Sequence, residues 1–209
     1  GIIWSQLWKT DPKSYLPFLT SGMIAWLFLS SMISEGCSSF SSQEPLVKKL
    51  RISYTLLACS VVWRNLIALG HNFFIYALVF LYAGVPLTWA TLLLVPGLLL
   101  LAINGVWISL VLGLICARYR DIQQLVMSLL QISMFLTPIF WQPEQLHGRA
   151  LVLVNYNILF QYVEVVRGPL MGRAPEAWTW IMVIGGTVVG WMLALFLHGR
   201  FRRRISYWL

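Results

Sequence analysis

Charge is scarce in this chain. Only 7 of its 209 residues are Asp or Glu, and all charged residues together make up 11%. A soluble domain carries about a quarter, so this chain has too little polar surface to cover a 59% hydrophobic composition. Cysteine and histidine are as sparse, at three each. Cys37, Cys59 and Cys116 are odd in number and widely spaced, which argues against a disulfide framework or a metal knuckle. Cys59 and Cys116 fall in apolar runs and read as small buried hydrophobes. His71, His147 and His198 form no H-x-x-x-H pair. There is no G-x-x-x-x-G-K-[ST], so the usual ATP-cradling loop is absent. No carboxylate pair at helical spacing and no Ser-His-Asp grouping stands out, so no catalytic residue is assigned.

What the chain has is long apolar runs. From Leu92 to Ala117 there is no formal charge, and Arg118, Tyr119, Arg120 and Asp121 then arrive together. A helix needs about 20 residues to cross the hydrocarbon layer, and this run is long enough. The chain therefore reads as an integral membrane protein. Its formal charge of +8 would suggest nucleic acid in a soluble protein. Here the basic residues flank apolar runs, which points instead to lipid headgroups and topology, with no nucleic-acid partner.

The pattern predicts an all-α chain with about five spanning helices. These lie near Tyr15–Phe40, Tyr54–Ala83, Leu92–Ala117, Gln124–Trp141 and Ala177–Leu197. Glu44 to Arg51 lies between the first two, and residues 44–53 read as a short interfacial amphipathic helix. Pro45 is well placed at its start, Leu46, Val47 and Leu50 are on one side, and Lys48, Lys49 and Arg51 reach water. Residues 142–176 are unlike the rest. Charges there interrupt two apolar runs, Ala150–Val154 and Ile158–Val166, that are too short to span. Short half-helices suit them, provided that protein or water surrounds their ends. Gly185, Gly186 and Gly190 on the last helix would allow close helix contact. The whole of 1–209 reads as a single transmembrane domain. Gly1 to Trp8 resembles the tail of an interrupted apolar element, so a preceding stretch is expected.

The basic loops set an orientation. Lys48, Lys49 and Arg51, then Arg118 and Arg120, then Arg200 to Arg204 fall on one side, which the positive-inside bias makes cytoplasmic. Asp121 beside Arg118 and Arg120 reads as a cytosolic helix-end cluster in which the carboxylate caps the next helix. Arg64, Asn65, His71 and Asn72 interrupt the second helix and admit two readings. Either Arg64 snorkels near the bilayer surface, or these groups face a protein interior or a wet path. Trp4, Trp8, Trp89, Trp178, Tyr207 and Trp208 read as interface anchors. Trp26, Phe28, Tyr76, Phe80 and Tyr82 lie nearer to helix interiors, as core, as lipid-facing residues, or as the lining of a path for sugars.

Four segments carry a resemblance. They are Gly22 to Trp26 (GMIAW), Cys116 to Ile122 (CARYRDI), Thr137 to Trp141 (TPIFW) and Arg202 to Trp208 (RRRISYW). Together they resemble the transmembrane subunit of ABC-2 type polysaccharide exporters, in particular the O-antigen exporter permeases of Gram-negative bacteria, the Wzm family. The resemblance runs along the whole chain but lacks the family's amino-terminal region and most of its first membrane helix. One departure is Asn155-Tyr156-Asn157, where the family usually has asparagine-proline.

The resemblance implies a homodimer of six-helix subunits around one channel in the bacterial inner membrane. Two copies of a separate ATPase subunit would hold ATP and Mg, with no cofactor in this chain. Residues 44–53 would be the coupling helix, with Glu44, Leu46, Lys48 and Lys49 as contacts. Residues 142–176 would gate the periplasmic exit. Trp26, Tyr76, Phe80, Asn155 and Arg167 are the channel or gate candidates. The cargo would be a polysaccharide linked to undecaprenyl pyrophosphate. Rival readings are a capsule or teichoic-acid exporter, a sugar-lipid flippase, a purely structural subunit, or a membrane glycosyl- or acyltransferase built on Glu144, His147 and Glu164.

Overall fold

A computed structural model describes residues 12–45, 53–143, 149–202 and 205–208. Its described elements are helical. Helix α1 is Pro12–Ser38, α2 is Tyr54–Ala83 and α3 is Leu94–Arg118. Helix α4 is Asp121–Leu136, α5 is Arg149–Asn155, α6 is Ile158–Leu170, α7 is Ala177–Phe201 and α8 is Ile205–Trp208. Short 3₁₀ turns lie at Ser41–Gln43 and Trp89–Leu93.

Local chemistry sets several of these boundaries. Pro12 opens α1, where a missing N–H costs nothing. Gly84 closes α2 in the left-handed region at φ 66°, and its N–H bonds the Phe80 carbonyl. Thr88 and Thr91 form a reciprocal capping box at the turn that leads into α3. Asn157 caps α6, its side-chain oxygen accepting from the Leu159 and Phe160 amides at 3.0 and 3.4 Å. The Asn-Tyr-Asn departure therefore joins the end of α5 to the start of α6.

Among the described residues, four helices are long and apolar enough to cross a membrane: α1, α2, α3 with its leading turn, and α7. Helix α4 is apolar but has 16 residues, about 24 Å at 1.5 Å per residue. The outward faces are greasy. Leu56, Phe74 and Leu81 of α2, Leu129 and Phe135 of α4, and Val189 and Phe196 of α7 are all exposed. Such broad apolar surface fits a hydrocarbon surrounding rather than water.

Inside, α1 packs on α2, α3 and α6, while α3 also packs on α2 and α7. The main core gathers Trp26, Phe28, Leu29 and Met32 of α1 with Leu101 of α3 and Tyr162, Val163 and Val166 of α6. Helix α6 is the enclosed element. It is too short to span, yet Phe160–Val163 and Val165–Leu170 are buried.

Small residues allow the close approach. A side chain at Gly97 would meet the Val165 carbonyl at 2.9 Å, and one at Gly105 would strike Met32. On α7, Gly190 lies against the Trp107 ring and Gly186 against the Tyr162 hydroxyl. Gly185 faces open space, so only two of the three expected glycines make contact. Cys59 is exposed on α2, contrary to its reading as a buried hydrophobe, whereas Cys116 is buried. Asp121 lies inside the first turn of α4, and no side-chain hydrogen bond caps that helix. Its contribution there is as a negative charge near the positive end of the helix dipole.

The molecule has two distinct ends. At one, Ser41, Glu44, Arg120, Gln123 and Trp208 line a common cavity, and the Arg118 guanidinium lies 5.1 Å over a Trp208 ring. At the other, Tyr15 donates to the Phe140 carbonyl at 2.7 Å, and Thr88 donates to the Gly172 carbonyl at 2.7 Å. Thus α4 begins at the basic end, and the residues just after it reach the opposite end.

Candidate functional site

Helix α6 carries polar side chains on an otherwise apolar body, at Gln161, Glu164 and Arg167. Their spacing of three puts them on one helix face. That face lines a cavity of about 360 Å³ together with Asn155, Arg173, Glu176, Trp178 and Thr179. The cavity lies at the end away from Arg118 and Arg120.

Arg167 is fully buried. Its guanidinium lies 4.2 Å over the Phe18 ring and 3.7 Å from the Glu164 carboxylate. Glu164 also faces Arg173 at 3.9 Å. Burial of a cation is costly unless it is paired, and this arrangement supplies a carboxylate and an aromatic face. Gly22 of α1 leaves the space, since any side chain there would strike the guanidinium. The first residue of the GMIAW segment is thus the seat of Arg167.

Hydrogen bonds fix the walls. Gln161 donates to the Asn155 carbonyl at 2.6 Å and accepts from Thr179 at 2.7 Å. The Trp178 ring N–H donates to the same carbonyl at 3.2 Å. These bonds join the end of α5, the face of α6 and the first turn of α7. Asn157 further donates to Thr137 at 3.4 Å, joining the α6 start to the Thr-Pro segment.

A second polar hub holds α6 from the other side. The Asn104 amide nitrogen donates to Thr187 at 2.7 Å and to the Leu100 carbonyl at 2.8 Å. Its oxygen accepts from Trp107 at 2.7 Å and Tyr162 at 2.8 Å. Every valence of this buried amide is used, which is what a dry interior demands. Asn65 is also buried and donates to the Val61 carbonyl at 2.9 Å. Arg64 is half exposed and pairs with Glu35 of α1 at 2.9 Å. The two readings of this region therefore divide: Asn65 faces protein, and Arg64 sits at the surface beside a counter-charge.

Of the channel or gate candidates, Asn155 and Arg167 meet at the cavity. Trp26 is 4% exposed and belongs to the protomer core. Tyr76 is buried with its hydroxyl donating to the Leu170 carbonyl, and Phe80 lies 6.4 Å from it. None of these three lines the cavity. Arg118, Arg120 and Asp121 are exposed at the basic end. Of the coupling candidates, Glu44 is half buried and begins a helical turn with Pro45. Leu46, Lys48 and Lys49 lie outside the described residues, as do Glu144 and His147. No group of three or more metal-ligating side chains occurs among the described residues. Sequence reasoning missed the roles of Gln161, Trp178 and Thr179. The spacing of 161, 164 and 167 was the available signal.

Comparison with known proteins bears on what such a bundle does. The family model described as ABC-2 type transporter matches residues 1–171. The chain belongs to the ABC-2 type transporter family. Its described residues are all-α, with four helices long and apolar enough to cross a membrane. The match takes in α1 to α4 and the enclosed half-helix α6. One curated relative, from Myxococcus xanthus, is named O-antigen export system permease protein RfbA. It is 27% identical over 144 residues, which cover 67% of this chain and 54% of the relative. The chain spans about half the length of that relative.

Proposed function

We propose that this chain is the channel-forming permease subunit of an ATP-driven exporter that carries a lipid-linked O-antigen polysaccharide across a bacterial inner membrane. The observation that carries the reading is the similarity to a permease named for O-antigen export. It comes on top of membership in a transporter family. The absence of a phosphate-cradling motif fits hydrolysis of ATP, with its Mg, on a separate subunit present in two copies.

Supporting the threading, α4 begins at the basic end and its continuation touches the start of α1. On this reading α4 is a fifth crossing, completed by residues 137–143. The basic end is cytoplasmic, and residues 44–53 couple to the ATPase through Glu44, Leu46, Lys48 and Lys49. Residues 142–176 form the periplasmic gate, in which Asn155 and Arg167 take part. A second copy of the chain completes the channel, and an undecaprenyl-pyrophosphate-linked glycan is the cargo.

The test is deletion of the chromosomal gene in its own cell, followed by restoration on a plasmid. Loss of surface polysaccharide with accumulation of lipid-linked glycan on the cytoplasmic face, both reversed by the plasmid, is the expected result. Unchanged surface polysaccharide in the deletion strain contradicts the proposal.

A further inference from the structure

We propose that the cavity beneath Arg167 is a binding subsite for an uncharged sugar ring, a place where the glycan is held before it leaves the permease. The inference rests on the export reading above and adds a location and a ligand chemistry to it.

At about 360 Å³ the cavity falls within the range of small-ligand sites, about 300–1,000 Å³.

The lining includes two arginines, Arg167 and Arg173, and two carboxylates, Glu164 and Glu176. Glu164 faces both arginines, at 3.7 and 3.9 Å. A phosphate or carboxylate ligand would compete with Glu164 and meet Glu176 as a like charge. A neutral ligand avoids both costs.

The lining pairs polar groups with a flat apolar ring. Trp178 has its ring N–H committed to the Asn155 carbonyl, so its remaining offer to a ligand is apolar area. Tyr156 packs edge-on against it at 5.5 Å and 77°, which steadies the ring. Around it stand acceptors on Glu164 and Glu176 and donors on Arg173. A pyranose has an apolar ring face and a rim of hydroxyls that both donate and accept, and it matches such a lining. A lipid chain does not. The molecule has a separate cavity of about 420 Å³ whose lining is almost entirely apolar, including Leu29, Val111, Val189 and Leu193, and that lining suits hydrocarbon.

The walls come from α5, α6 and the start of α7. A ligand here touches three elements that no continuous helix joins, so its binding would bear on how they sit together.

The experiment uses the full-length permease in lipid nanodiscs. The probes are repeat-unit oligosaccharides, released by mild acid from the host cell's own lipid-linked polysaccharide, and inorganic phosphate. Calorimetric titration should show saccharide binding to wild type. Trp178→Ala and Glu164→Gln should each weaken it at least tenfold, while Phe196→Ala, on the outward face of α7, should leave it unchanged. Trp178→Phe keeps the ring and guards against a folding artefact: it should retain more affinity than Trp178→Ala at equal monodispersity on gel filtration.

Absence of saccharide binding, or binding insensitive to Trp178 and Glu164, overturns the subsite. So does phosphate binding that displaces the sugar. The export reading fails separately, in the deletion strain: a permease that restores export yet binds no repeat unit loses the subsite and keeps its function.

Discussion

Single side chains decide how the interior holds together. Asn104 is the clearest case, because four partners depend on one amide. Asn104→Leu would leave the Tyr162 hydroxyl and the Trp107 ring N–H without their acceptor. A buried polar group left unpaired costs about 1–3 kcal/mol, but hydrogen bonds between membrane helices average only about 0.6 kcal/mol. A loss of about 1–3 kcal/mol in total is expected, read as a lower thermal midpoint in detergent. A midpoint equal to wild type would remove the hub from the account. Trp26 makes a different prediction. Enclosed in the core, Trp26→Ala should cost about 3–5 kcal/mol through the cavity it opens. Export should fall only as far as the amount of folded protein falls. Normal protein levels with slowed export would instead put Trp26 on the glycan's path. Sequence shows Asn104 as a polar residue in an apolar run. It does not show that Tyr162 and Thr187, 58 and 83 residues away, supply its partners. Those contacts depend on how three helices meet, and no local pattern encodes that.

Elements were legible in proportion to their apolar length. The span Tyr54–Ala83 agrees at both ends with the expectation from sequence, because a glycine in the left-handed region stops the helix. Helix α4 ends five residues before the Trp141 expected from sequence. The Thr-Pro segment ends it at Leu136, since the residue before a proline avoids helical backbone. Short helices occur at Arg149–Asn155 and Ile158–Leu170, but periodicity alone does not say that α6 lies inside the bundle. Its burial follows from Gly97 on α3 and Gly22 on α1, both of which admit it closely. The proposed coupling role of residues 44–53 can be tested in the same way. Lys48→Glu with Lys49→Glu should uncouple the ATPase, cutting export at least tenfold while membrane insertion stays normal. Fractionation and surface-polysaccharide staining check this together. Full export in the double variant would place the ATPase contact elsewhere.

The whole molecule is organised by its two ends. Trp208, Arg118, Arg120 and the Ser41–Gln43 turn gather at one, and the polar cavity with the ends of α5 and α7 that wall it lies at the other. A membrane protein with this layout has a definite direction, and the export account gives it a sign. Impermeant thiol labelling measures that sign directly, in a background where Cys37, Cys59 and Cys116 are replaced by alanine. Intact cells carrying Ala174→Cys should label at once, and those carrying Arg202→Cys only after the inner membrane is opened. The reverse pattern, with position 202 reached from outside in intact cells, would contradict the account.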